Sequence, residues 1–166
     1  MKEPVFLTYK ILKEKALNSD IDENWIDWAI EMMQVGYETD SLYQLAGISK
    51  PYNQFELQDL TNKVLKDLQL DFSDKKTILK NYTYFLIKSN IDVPKNYDEV
   101  LKELKNISYE LEKEIEYQSF VFLYWAKDDL KYYDHQDYWK GADKTNIDKI
   151  IKQQFELYIA KIENEK

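Results

Sequence analysis

Cysteine and arginine are both missing from this chain, and glycine, proline and histidine are scarce. Without cysteine there is neither a disulfide framework nor a thiolate zinc site, a composition that fits the cytosol. Without arginine, all 23 basic residues are lysine, so the planar fork that grips phosphate or carboxylate bidentately is unavailable. Three isolated glycines cannot build a phosphate-cradling loop of either nucleotide-binding type. No apolar run approaches the roughly 20 residues needed to span a bilayer; the longest is Phe120–Ala126. The start of the chain, Met1 to Phe6, lacks a signal-peptide pattern, because Lys10 interrupts the apolar run. These absences predict a cytoplasmic protein with no membrane partner, and 166 residues form one domain by length, spanning 1–166.

What the chain has in abundance is carboxylate and tyrosine. Residues 20–59 hold nine acidic residues against the single Lys50, a net −8 that equals the charge of the whole protein. Residues 108–144 carry nine acids against five lysines. Such a distribution repels nucleic acid and anionic membrane and steers association with basic partners. Aromatic residues reach 15%, fourteen of them tyrosine.

Apolar spacing is helical throughout, with no alternating strand pattern, which predicts an all-α fold. Helices are expected at about 5–18, 23–35, 41–46, 54–70, 74–89, 96–106, 109–133 and 145–163. The second has a wide apolar face, from Trp25 to Met33, and only a thin polar strip, so it should be covered on most sides. Asp40 can cap the third helix. Asn53, Asn96 and Thr145-Asn146 have capping layouts, and all three glycines stand where a left-handed helix cap is expected. The 109–133 helix is apolar on every side around Phe120–Ala126 and is expected at the centre of an irregular bundle of about eight helices.

His135, between Asp134 and Asp137, is the only histidine. A histidine among carboxylates can act as a general base or bind a metal, but no second histidine and no cysteine can join it. Glu-x-x-His pairs and calcium-loop patterns are missing too. The residues therefore predict no catalytic group, cofactor or metal, and no enzyme. Glu23, Asp27 and Glu31 lie at i, i+4 and i+8, in one column of the second helix, where like charges repel. The column, with Glu38, reads either as a solvated strip or as a docking face. Asp128, Asp129, Asp134 and Asp137 stand beside Tyr133 and Tyr138, a combination suited to a basic, partly apolar partner. Trp139 is expected to pin its loop to the core, while Tyr133 and Tyr138 are expected to be exposed.

The stretch Trp25-Ile26-Asp27-Trp28-Ala29, Met32-Met33, Gly36, Leu42 and Leu45-Ala46-Gly47, with the later Tyr124–Leu130 and Tyr138-Trp139, resembles small all-helical bacterial proteins. Some of these belong with the immunity proteins of interbacterial toxin systems. The resemblance implies a helical fold and a toxin-domain partner. It assigns no site residues, because such families bind their partners through differing surfaces. The chain is thus expected to be a binding module that neutralises a basic toxin domain, with no nucleic-acid partner. Two other readings stay open: a self-associating regulatory module forming a homo-oligomer, and a metal-dependent enzyme around His135.

Overall fold

The computed structural model describes residues 4–165; the first three residues of the segment read above for a signal peptide lie outside them. The described residues form eight α-helices and no strand. They gather into two compact units, one up to Tyr82 and one from Thr83 on, with the boundary inside the fifth helix.

The first unit contains α1 (Leu7–Ala16), α2 (Glu23–Gln34), α3 (Asp40–Ala46), α4 (Gln54–Asp67) and the start of α5 (Lys75–Asn90). Asp22 opens α2 by accepting the backbone N–H of Asn24 at 2.9 Å. Trp25, Trp28, Ala29 and Met32 then recur at helical spacing and are buried. The two indoles meet edge to face, 5.8 Å apart. Trp28 Nε1 donates to Thr8 Oγ1 at 2.9 Å, so the buried indole N–H is satisfied by α1. The connection into α2 is pinned by α4: Gln54 exchanges two hydrogen bonds with the Ile21 backbone, and Gln58 donates to the Ser19 carbonyl. Contrary to expectation, α2 is covered on one side only. Ile26 and Met33 are half-buried and Ile30 is exposed.

Helix starts and ends correct several further expectations. Thr39, one residue before Asp40, caps α3 by accepting from Leu42 N. Asn53 caps α4 as expected, accepting from Glu56 N. Of the three glycines, only Gly36 ends a helix in the left-handed region, at φ 90°. Gly141 has a positive φ within a loop, and Gly47 stays right-handed at φ −89°. The remaining left-handed ends are made without glycine. Asn18 after α1 (φ 52°) and Gln69 after α4 (φ 57°) both close Schellman motifs, with Ser19 N donating to Glu14 O and Leu70 N to Leu65 O.

The second unit holds the rest of α5, then α6 (Tyr97–Glu110), α7 (Gln118–Tyr132) and α8 (Ile147–Asn164). The expected continuous helix over 109–133 is interrupted. Residues 109–110 end α6, Glu112 and Lys113 turn left-handed, and Ile115–Tyr117 form a 3₁₀ turn before α7 begins. Lys113 N donates to Ser108 O at 2.7 Å and closes α6. No glycine or proline marks this break, which is why helical periodicity ran through it. α7 packs on α6 and α8 and buries Phe120, Leu123, Ala126 and Leu130. Its other face is only partly covered, and Phe122 is exposed. Around α7 the core is aromatic: Phe120 lies 5.8 Å from Phe155 and 5.6 Å from Tyr158, and Tyr97 meets Phe155 edge to face. The side chains of Asn96 and Asn146 do not cap their helices. Asn96 donates instead to Asn90 Oδ1, and Asn146 ties down the preceding loop.

The left-handed ends predict a graded response to substitution. Gln69→Gly should raise the unfolding free energy by about 0.5–1 kcal/mol, because relief of the left-handed strain exceeds the entropy that glycine adds to the unfolded chain. Gly47→Ala should raise it by about 0.4–1 kcal/mol as well, since its backbone is right-handed, its Cβ would meet only ordinary contacts and the unfolded chain loses entropy. Urea denaturation measures both; an unchanged or less stable Gln69→Gly would show that this end is not strained.

Candidate protein-binding surfaces

Each unit carries one of the two acidic surfaces. In the first, Glu23, Asp27 and Glu31 are all exposed along the outer side of α2, and Glu38 is exposed in the connection after Gly36. Lys50 donates to Glu23 Oε2 at 2.9 Å. That bond holds the Glu23 carboxyl below the usual glutamate range and raises the Lys50 ammonium. The one lysine of the stretch is therefore committed to the top of the column. Among the described residues, Asp27, Glu31 and Glu38 have no ion-pair partner. Exposed Ile30 and Val35 lie beside them, so the face is acidic with apolar points. Behind it, in α1, Glu14 is half-buried; burial pushes its carboxyl up, and the nearby Asp22 charge adds to the effect.

The second surface is built on the end of α7 and the loop after it. Asp128 and Asp129 are half-buried on α7. Lys131 bridges Asp98 of α6 at 3.0 Å and Asp128 at 3.4 Å, and the Asp98 bond leads in raising its ammonium. Lys127 pairs with Asp148 of α8 at 2.6 Å. Asp128 thus serves the packing of α7 as much as any partner. Beyond the helix, Tyr133, Asp134, Asp137 and Tyr138 are exposed, as is the neighbouring Tyr132.

The loop keeps its shape through side chains whose role was not read from the sequence. Gln136 Oε1 accepts from Tyr138 N at 2.8 Å and Trp139 N at 2.7 Å. Its Nε2 donates to the carbonyls of Trp139 and Ala142. Asp143 Oδ1 accepts from the Thr145 and Asn146 backbones, and Asn146 Nδ2 donates to the Gly141 carbonyl. The Asp-x-Thr-Asn order is a readable turn signal, but the Gln136 hub leaves none. Trp139 is half-buried, in keeping with a pin, and Tyr138 tilts over Trp125 with ring centroids 6.4 Å apart. Lys105 from α6 sits over Tyr124 and Trp125, 4.1 and 4.9 Å from the ring centroids.

Asp134 is bound by Lys144 at 2.8 Å, which lowers its carboxyl. Asp137 has no ion-pair partner among the described residues. His135 is exposed beside Tyr133, with ring centroids 6.3 Å apart, and shares an open cleft with Asp134 and Asp137. Among the described residues, no group of three histidine or carboxylate side chains comes together to hold a metal ion. Nor is any helix of those residues long and apolar enough to cross a membrane.

Gln136→Ala should leave global stability nearly intact while the Tyr138 and Trp139 amides exchange with solvent about tenfold faster or more, as read by hydrogen exchange. Unchanged protection at those two amides would mean that the loop is held otherwise. No family model matches this chain, and no match is found among curated proteins or solved structures.

Proposed function

We propose that this is a cytoplasmic binding protein of the immunity type, which neutralises a basic toxin domain by covering its site and performs no chemistry of its own. The observation that carries the reading is the loop at 133–142. It is fixed by Gln136 rather than by a helix, and it presents Tyr133, Asp137 and Tyr138 to solvent. A surface already held in its bound shape loses little entropy on association. Exposed tyrosines supply rigid contact area, and neighbouring carboxylates select a cationic partner. The unpaired Asp27, Glu31 and Glu38 support the same partner chemistry, because they add to the field that would speed the encounter. Nucleic acid and anionic lipid are disfavoured by the same charge.

Affinity enrichment with the tagged protein from its native lysate tests the proposal. A basic partner should be retained at low salt, be released as salt rises, and be lost with Tyr138→Ala or with Asp27→Lys combined with Glu31→Lys. Retention of the same partner by all variants at high salt would remove both surfaces from the mechanism. Recovery of this chain alone would favour self-association.

A further inference from the structure

Lysines of the second unit commonly pair with a carboxylate from another element, as Lys127 does with Asp148 and Lys152 with Asp92. Lys105 does not. In a chain with 31 acidic residues, it has no ion-pair partner among the described ones. Its ammonium lies instead over two aromatic faces of α7, 4.1 Å from the Tyr124 ring centroid and 4.9 Å from that of Trp125. Those two rings meet edge to face, 5.0 Å apart at 79°, and so stand as the walls of a corner. Tyr138 adds a third ring, 6.4 Å from Trp125 and tilted 30° to it. Its position is fixed through the backbone, where Tyr138 N donates to Gln136 Oε1. The corner opens at the surface: Lys105, Tyr124 and Trp125 are half-buried and Tyr138 is exposed.

Aromatic faces carry the negative side of the ring quadrupole and attract cations. A primary ammonium fits such a corner poorly in one respect: its three N–H donors are strongly hydrated in water, and ring faces are weak acceptors. A quaternary ammonium has no N–H to leave unsatisfied and sheds its water more cheaply, so aromatic walls favour it. Asp129, half-buried one turn along α7 from Trp125, has no ion-pair partner among the described residues and adds a matching charge. We propose that Tyr124, Trp125 and Tyr138 form a binding site for a quaternary ammonium group, and that Lys105 occupies it in the free protein as a built-in competitor. Lys105 leaves at little cost, because no ion pair holds it and its four-carbon stem is flexible. The apparent affinity for the ligand is lowered according to the fraction of molecules in which Lys105 fills the corner. The site goes beyond the acidic-surface reading and does not depend on the partner being a toxin.

Calorimetric titration of the intact protein with choline tests the proposal. Lys105→Ala should bind choline about tenfold more tightly than the original chain, because the competitor is gone. Lys105→Gln keeps the stem without the charge and should shift the affinity in the same direction. The neutral carbon isostere of choline should bind none of these proteins measurably. In the Lys105→Ala background, Tyr138→Ala and Trp125→Leu should each weaken choline about tenfold, with folding read by circular dichroism. Tyr138 is exposed, so its variant keeps the test valid if Trp125→Leu misfolds. A peptide carrying trimethyl-lysine presents the same group on a protein, and whichever of the two ligands binds more tightly names the source. The proposal is overturned if neither ligand binds the Lys105 variants saturably, if the neutral isostere binds as tightly as choline, or if the folded aromatic variants bind choline like their parent. Equal affinity of the original chain and both Lys105 variants would overturn it too, because Lys105 would then not compete for the site.

Discussion

Carboxylates that accept backbone N–H groups shape the helix starts and turns between which the apolar cores of this fold are packed. Glycine is scarce and arginine missing, so the chain cannot turn through flexible positions or clamp its elements with guanidinium forks. Aspartate does much of that work. Asp22 opens α2, Asp74 accepts from Thr77 at the start of α5, Asp71 holds the turn before it, and Asp143 organises the approach to α8. Hydrogen bonding to the ionised form holds Asp71, Asp74 and Asp143 below the usual carboxylate range. At helix ends the same scarcity forces Asn18, Gln69, Glu112 and Lys113 into the left-handed region.

This division of labour separates two populations of acid. One caps helices, closes turns or pairs with a lysine from another element, as Asp148 does with Lys127 and Glu116 with Lys161. The other includes Asp27, Glu31, Glu38 and Asp137, exposed and without an ion pair among the described residues. The net charge of −8 therefore understates how uneven the surface is. Like charges one turn apart on α2 cost about a few tenths of a kcal/mol per pair. A surface that bears this cost with no structural return is suited to a cationic partner.

The helical class and most helix positions were legible because apolar spacing and capping residues are local signals. Trp25, Trp28 and Met32 were readable as one buried face in the same way. Two kinds of feature were not. The break at 111–114 depends on left-handed glutamate and lysine, residues that carry no turn preference, so the periodicity of Tyr109 to Tyr133 ran across it. The loop around Trp139 depends on Gln136 meeting four backbone groups, which no sequence pattern announces. Among the candidate site residues, the exposure of Tyr133, Tyr138 and the α2 column followed from patterning. The Asp128–Lys131 pair is an i, i+3 neighbour on one helix, a local pattern, whereas the commitment of Asp134 to Lys144 and of Glu23 to Lys50 required the tertiary structure.

Thermal unfolding of charge variants tests the division between structural and free carboxylates most directly. Replacing Asp22 by alanine should lower stability by about 1 kcal/mol, the usual cost of a lost helix cap. Asp27→Lys combined with Glu31→Lys should leave stability unchanged or raise it by about a few tenths of a kcal/mol, since the repulsion of Glu23 and residue 27 becomes attraction while the 27/31 pair stays like-charged. A column reversal that destabilises the protein as much as loss of the cap would contradict the account, because it would place Asp27 and Glu31 among the acids that hold the fold together.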